Sequence, residues 1–124
     1  MPARTATSLA LALTALALTA CGGSGPTVRE RTPSFTITLD DYLMRPQSVR
    51  VPKRQTLTVT VVNHGRLGHT FRIRGNNHNV LALTTIKPGE QRSRSFKLAP
   101  GTYRMYCALA NHEELGMYGT LVVR

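Results

Sequence analysis

Residues 57–61 read LTVTV, aliphatic side chains alternating strictly with threonine. A period of two in β-branched residues is the signature of a strand with one buried face, whereas the apolar positions of a helix recur every three or four residues. The same alternation appears upstream in residues 35–39, FTITL. Outward from these two runs, Ser48 to Val51, His69 to Ile73, Ser93 to Leu98, Tyr103 to Cys107 and Gly119 to Val123 follow the same grammar. Turn signals separate them at Arg45-Pro46, Val51-Pro52, Lys87-Pro88-Gly89 and Pro100-Gly101. The pattern predicts an all-β antiparallel sandwich or barrel of about seven or eight strands. The stretch Gly75 to Ile86 carries the weakest pattern and is expected as loop with at most one short strand or helical turn.

The N-terminus is of another kind. Residues 1–20, MPARTATSLALALTALALTA, carry one charge, at Arg4, followed by Ala, Leu, Ser and Thr. The uncharged run from Thr5 to Ala20 is shorter than the roughly 18 to 20 residues that cross a bilayer as a helix, so it reads as an export signal. It ends at Leu18-Thr19-Ala20-Cys21, which resembles a lipobox, where small residues precede a cysteine that is lipidated and becomes the new N-terminus. The expected organisation is therefore a signal peptide at 1–20, a lipidated Cys21 with a flexible tether through residue 33, GGSGPTVRERTP, and one domain at 34–124. The expected location is extracytoplasmic, anchored through lipid to a bacterial membrane.

Without residues 1–20 the chain holds 15 Lys and Arg against 6 Asp and Glu, a net charge of +9. An exported chain seldom meets nucleic acid, so the charge favours an anionic membrane surface or a partner protein with an acidic surface. The domain is expected to be a monomer. An exported domain normally pairs its cysteines, yet with Cys21 acylated Cys107 has no partner in the chain. A free thiol outside the cytoplasm invites oxidation, and a metal that holds it as a protected thiolate is a physical reason to retain it.

Residues 107–117, CALANHEELGM, place His112 and Met117 on the connection that follows Cys107. A loop clamped between two strands holds such donors with little entropy left to lose on binding. Thiolate, imidazole and thioether are soft to borderline donors, suited to copper and above all Cu(I) rather than magnesium or calcium. The stretch VVNHGRLGHTFRI offers a fourth donor in His69, which opens a strand after a loop. His64 and His78 stand in polar settings where a solvated histidine is the default, and Phe71 and Tyr106, beside His69 and Cys107, are expected only to pack.

Two histidines and a cysteine with a long axial methionine is the arrangement of blue-copper electron-transfer sites, and the whole of residues 34–124 resembles the cupredoxins, the family that includes plastocyanin, azurin, pseudoazurin and rusticyanin. TVTVVNHGRLGHTF resembles that family's strand, Asn-containing loop and first histidine ligand; IKPGEQRSRSFKLAPGTYRMYC resembles its Pro-Gly-Thr-Tyr turn and ligand cysteine; NHEELGMYGTLVV resembles the closing histidine, Gly-Met and last strand. The resemblance implies a cupredoxin-like Greek-key β-sandwich and one copper ion, with His69, Cys107 and His112 as equatorial ligands and Met117 as the axial one. The carbonyl of Gly68 stands where an azurin-type backbone oxygen approaches the metal. Thr70 takes the place of an asparagine that in many relatives ties the two ligand loops together.

Four histidines in one such domain cannot supply the additional copper centres of nitrite reductases or multicopper oxidases. The ligand loop lacks the second cysteine of a dinuclear site, and no Cys-x-x-Cys-His haem motif occurs. The sequence therefore points to a protein that is not an enzyme. It is expected to pass electrons or, using the same ligands, to carry or scavenge copper for a partner. Ala108, Leu109 and Ala110, beside His112, are a candidate apolar docking patch.

Overall fold

Leu57, Val59, Val61 and Asn63 are buried on one face of β5 (Leu57–Asn63), while the residues between them lie half-exposed on the other. Its partner β2 (Ser34–Asp40) buries Phe35, Ile37 and Leu39 in the same way. The two strands run parallel, with Phe35 opposite Val59 and Ile37 opposite Val61, so both apolar rows face one core. The computed structural model describes residues 26–54 and 56–124. The stretch expected as a signal peptide and lipobox, with Cys21, lies outside these residues.

The described residues form ten strands and no α-helix. Besides β2 and β5 these are β1 (Val28–Arg29), β3 (Leu43–Arg45), β4 (Ser48–Val51), β6 (His69–Gly75), β7 (His78–Ile86), β8 (Gln91–Phe96), β9 (Gly101–Tyr106) and β10 (Tyr118–Val123). One sheet has the order β1-β4-β10-β9-β6-β7 and the other β3-β2-β5-β8. Their inner faces enclose Met44, Val49, Val51, Phe71, Ile73, Met105, Leu121 and Val123 together with the apolar rows of β2 and β5. This is the expected all-β cupredoxin-like sandwich, and the seven expected strands are all present.

Several features depart from the expectation. The sheets are mixed rather than purely antiparallel, because β1 with β4, β4 with β10 and β2 with β5 pair in parallel. Residues 78–86 are not loop but a nine-residue strand, joined to β6 by a two-residue turn. Asn76 and Asn77 both have positive φ, 49° and 64°, the conformation of a tight hairpin whose twist matches the strands it joins. Leu81, Leu83 and Ile86 of β7 reach the core. Part of the stretch expected as tether, Val28–Arg29, pairs with Val49 and Arg50 of β4, so the sheet begins ahead of Ser34.

Candidate metal centre

Each donor is placed by a different consequence of the fold. His69 is the first residue of β6 and is fully buried. The β6–β7 register slips by one residue between the His69–Ile86 and Phe71–Leu83 pairs, a bulge of the kind that re-aims side chains beside functional sites. The loop leading to His69 is fixed by Asn63, whose Nδ2 donates to the carbonyls of Leu67 and Ile86, both at 2.8 Å, while its Oδ1 accepts from the Gly65 amide at 2.9 Å. Gly68 ends that loop, with a methyl carbon of Thr85 3.4 Å from where a Cβ would lie.

Cys107 follows β9 directly and is buried. Its amide donates to the Met117 carbonyl at 3.0 Å, which closes the ligand loop at its base. Within the loop, His112 donates to Leu109 O at 2.9 Å, Leu115 to Asn111 O at 3.0 Å, Gly116 to Glu113 O at 3.1 Å and Met117 to His112 O at 3.0 Å. Successive tight turns thus fix the backbone at His112 and Met117. The Glu113 carboxylate anchors the loop from outside, taking Arg74 Nη2 at 2.9 Å and Arg104 Nε at 2.8 Å. Those guanidinium groups in turn lie over the rings of Tyr106 and Tyr118, at 4.4 and 4.0 Å from the centroids.

The sandwich brings three of the expected donors to one point. Ligand atoms of His69, Cys107 and His112 all lie within 4.8 Å of one another. The two histidines face each other through Nδ1, 3.3 Å apart, and Cys107 Sγ is 3.6 Å from His112 Nδ1. Met117 is fully buried, tied through its backbone to both Cys107 and His112. His64 and His78 are exposed and stand apart from this group, although His78 opens β7 rather than sitting in a loop.

The sulfur is well supplied with donors. The amide of Thr70 lies 3.4 Å from Sγ and its hydroxyl 3.6 Å, while the same hydroxyl accepts from the Ala108 amide at 2.8 Å. Thr70 thus supplies the tie between ligand loops despite its shorter side chain. Burial lowers the pKa of His69, with the neighbouring His112 pushing the same way, so the imidazole is biased to the neutral form that ligates. The buried His69, biased to the neutral form, with the half-buried His112 and a hydrogen-bonded sulfur beside it suits a soft-to-borderline ion, and the set is a site for a single copper ion.

Two residues near the site escaped the sequence. The turn between β2 and β3 places Asp41 Oδ1 3.6 Å from His69 Nε2 and packs the ring of Tyr42 edge-on against His112, centroids 5.3 Å apart. Desolvation works against the ionised Asp41, but hydrogen bonds from the Leu67 and Arg66 amides and the Arg66 side chain outweigh it and hold the carboxyl below its usual range. Leu109 packs against the core, leaving Ala108 and Ala110 exposed from the expected patch. Tyr42, Leu67, Leu115 and Tyr118 are larger exposed apolar side chains around it.

Comparison with known proteins agrees with this architecture. Residues 8–123 match the family model of the cupredoxin-like domain. No curated protein sequence matches the chain. Among solved structures it is similar to reduced auracyanin from Roseiflexus castenholzii, with a TM-score of 0.70 at 22% identity over 77% of this chain and 99% of that one. Rusticyanin from Thiobacillus ferrooxidans gives a TM-score of 0.67 at 18% identity, covering 82% of this chain and 84% of rusticyanin. A multicopper oxidase gives 0.60 at 19% identity, but only 41% of that longer chain is covered. With the family model spanning nearly its whole length and the donor set converged at one end of the sandwich, the chain belongs to the cupredoxin family.

Proposed function

We propose that this chain is a mononuclear type 1 copper protein that transfers single electrons and is not itself an enzyme. The observation that carries the reading is the convergence of His69, Cys107 and His112, with their ligand atoms within 4.8 Å, on a loop and a strand fixed by hydrogen bonds. Copper bound there cycles between Cu(I) and Cu(II). The protein's part is to hold the donors still. Asn63 fixes the entry to His69, Thr70 bridges to Ala108, and Glu113 pins the ligand loop to β6 and β9. A frame so constrained changes little with the metal's valence, which keeps reorganisation small. Met117, buried at the loop base and tied through its backbone to Cys107 and His112, would supply a thioether as the fourth donor to a copper ion held there.

His69 is fully buried whereas His112 is partly exposed, so electrons enter and leave along the His112 edge. Exposed Ala108, Ala110 and Leu115 beside it form the docking surface for a redox partner. The overall charge favours a partner with an acidic surface by speeding encounter. The acidic side chains Asp40, Asp41 and Glu113 at this end are each paired with arginine, Glu113 with two. The protein works as a monomer, apart from nucleic acid, held at the outer face of a bacterial membrane by lipid on Cys21. Loss of membrane partitioning in Cys21→Ser would support that anchor, and unchanged partitioning would remove it.

The functional test is stopped-flow reduction and reoxidation of the copper-loaded protein. Repeated cycles with fast exchange and full metal retention are expected. Release of Cu(I) to a chelator or acceptor protein on each reduction would instead mark a copper carrier using the same ligands.

A further inference from the structure

The turn Asp41–Tyr42 belongs to the sheet opposite His69, yet it touches both histidines. His69 presents Nδ1 to His112 and turns Nε2 away, toward Asp41. That Nε2 is buried and has no hydrogen-bond partner in the structure. A buried ring N–H without an acceptor is costly, and Asp41 Oδ1, 3.6 Å away, is a few tenths of an ångström beyond a good hydrogen bond. The carboxylate is held in place independently. Oδ1 accepts from the amides of Arg66 at 2.8 Å and Leu67 at 3.2 Å, and Gly65 leaves no room for a Cβ against it, so the loop before His69 wraps the carboxylate closely.

Ligating histidines characteristically donate their other ring N–H to a carboxylate or carbonyl, which fixes the tautomer and makes the ring a stronger donor. We infer that Asp41 is a positioning residue that accepts a hydrogen bond from the His69 Nε2–H and, through its negative charge, lowers the reduction potential of the site. Both effects favour Cu(II), the more positively charged state. The inference rests on the copper reading above and adds a determinant of potential that lies outside the ligand set and outside the sulfur's own hydrogen bonds. With Nδ1 facing His112 and the donor cluster, a copper ion held there would leave the ring as the Nε2–H tautomer, whose proton lies on the side of Asp41 Oδ1.

Asp41→Asn tests the charge while keeping an oxygen that the Arg66 and Leu67 amides can reach. Losing an outer-shell partner changes metal affinity by about 10- to 100-fold. At the low end, a tenfold loss in the preference for Cu(II) over Cu(I) corresponds to about 59 mV for a one-electron couple. Voltammetry should therefore show a rise in potential of about that size, with the thiolate absorption band retained. An unmoved or lowered potential with an intact band overturns the inference and leaves the copper reading standing, whereas wild-type protein without a thiolate band overturns both. Should the variant not fold, proton and nitrogen resonances of the wild-type Cu(I) form decide. A slowly exchanging, downfield-shifted His69 Nε2 proton supports the carboxylate acceptor, and an unshifted one rules it out.

Discussion

The Thr70 hydroxyl accepts a hydrogen bond from the Ala108 amide at 2.8 Å while lying 3.6 Å from the Cys107 sulfur. One small side chain therefore joins the residue after the first histidine to the residue after the cysteine and helps set the electron density on the sulfur. Hydrogen bonds to a thiolate withdraw charge from it and favour the reduced metal.

Thr70→Val keeps the shape and removes the hydroxyl. The potential should fall, because one donor to sulfur is lost, and the Ala108 amide is left without its acceptor. The apo fold should lose about 1 kcal/mol for that unmet amide. Paired voltammetry and urea unfolding check the two effects, and a raised potential would contradict the role given to Thr70.

Met117→Gln exchanges a weak thioether for a stronger oxygen donor at a fully buried position. The reduction potential should drop, since the axial ligand is a principal control on it. No shift in the voltammogram would place Met117 away from the metal.

Gly116→Ala tests the loop's seating. Gly116 has φ +124°, and a Cβ there would lie 2.9 Å from the Tyr42 carbonyl. The substitution should cost about 1–3 kcal/mol in backbone strain alone and push the ligand loop off the β2–β3 turn. Weaker copper retention with a lowered melting temperature is expected; wild-type values for both would show that the contact yields without consequence.

Much of the fold was legible because its strands carry a period of two, as in Phe35, Ile37 and Leu39 or Leu57, Val59 and Val61. The strand β7 was hidden because Asn76-Asn77-His78-Asn79 reads as polar loop, although two adjacent residues able to adopt positive φ are also the signature of a tight hairpin. The brief β1 and β3 are too short to show a period. The parallel pairings were illegible for a different reason: they join segments far apart in sequence, and nothing local encodes which neighbour a strand takes. At the site, the donors announced themselves by residue type. Asp41 and Tyr42 did not, since they reach the histidines across the sandwich from a turn with no motif of its own.

The apo protein should be less stable in mild acid. The pKa of His69 lies below its ordinary 6.5 in the folded state, chiefly through burial and then through His112, so below about pH 6.5 the unfolded chain binds the extra proton first. Stability should fall as pH drops from there toward the folded pKa and then level off as far as this residue is concerned. Urea melts of apo protein across that range, with His69→Gln as reference, should show a steeper pH slope than the variant does.

The most direct test of the central claim is Cu(II) added to the purified protein and to Cys107→Ser, followed by visible absorption and electron paramagnetic resonance. The wild type should show an intense thiolate-to-Cu(II) band with a mononuclear copper signal, and Cys107→Ser should lose the band while keeping the β fold. A wild type that binds no copper, or a band that survives in Cys107→Ser, would contradict the assignment of this site.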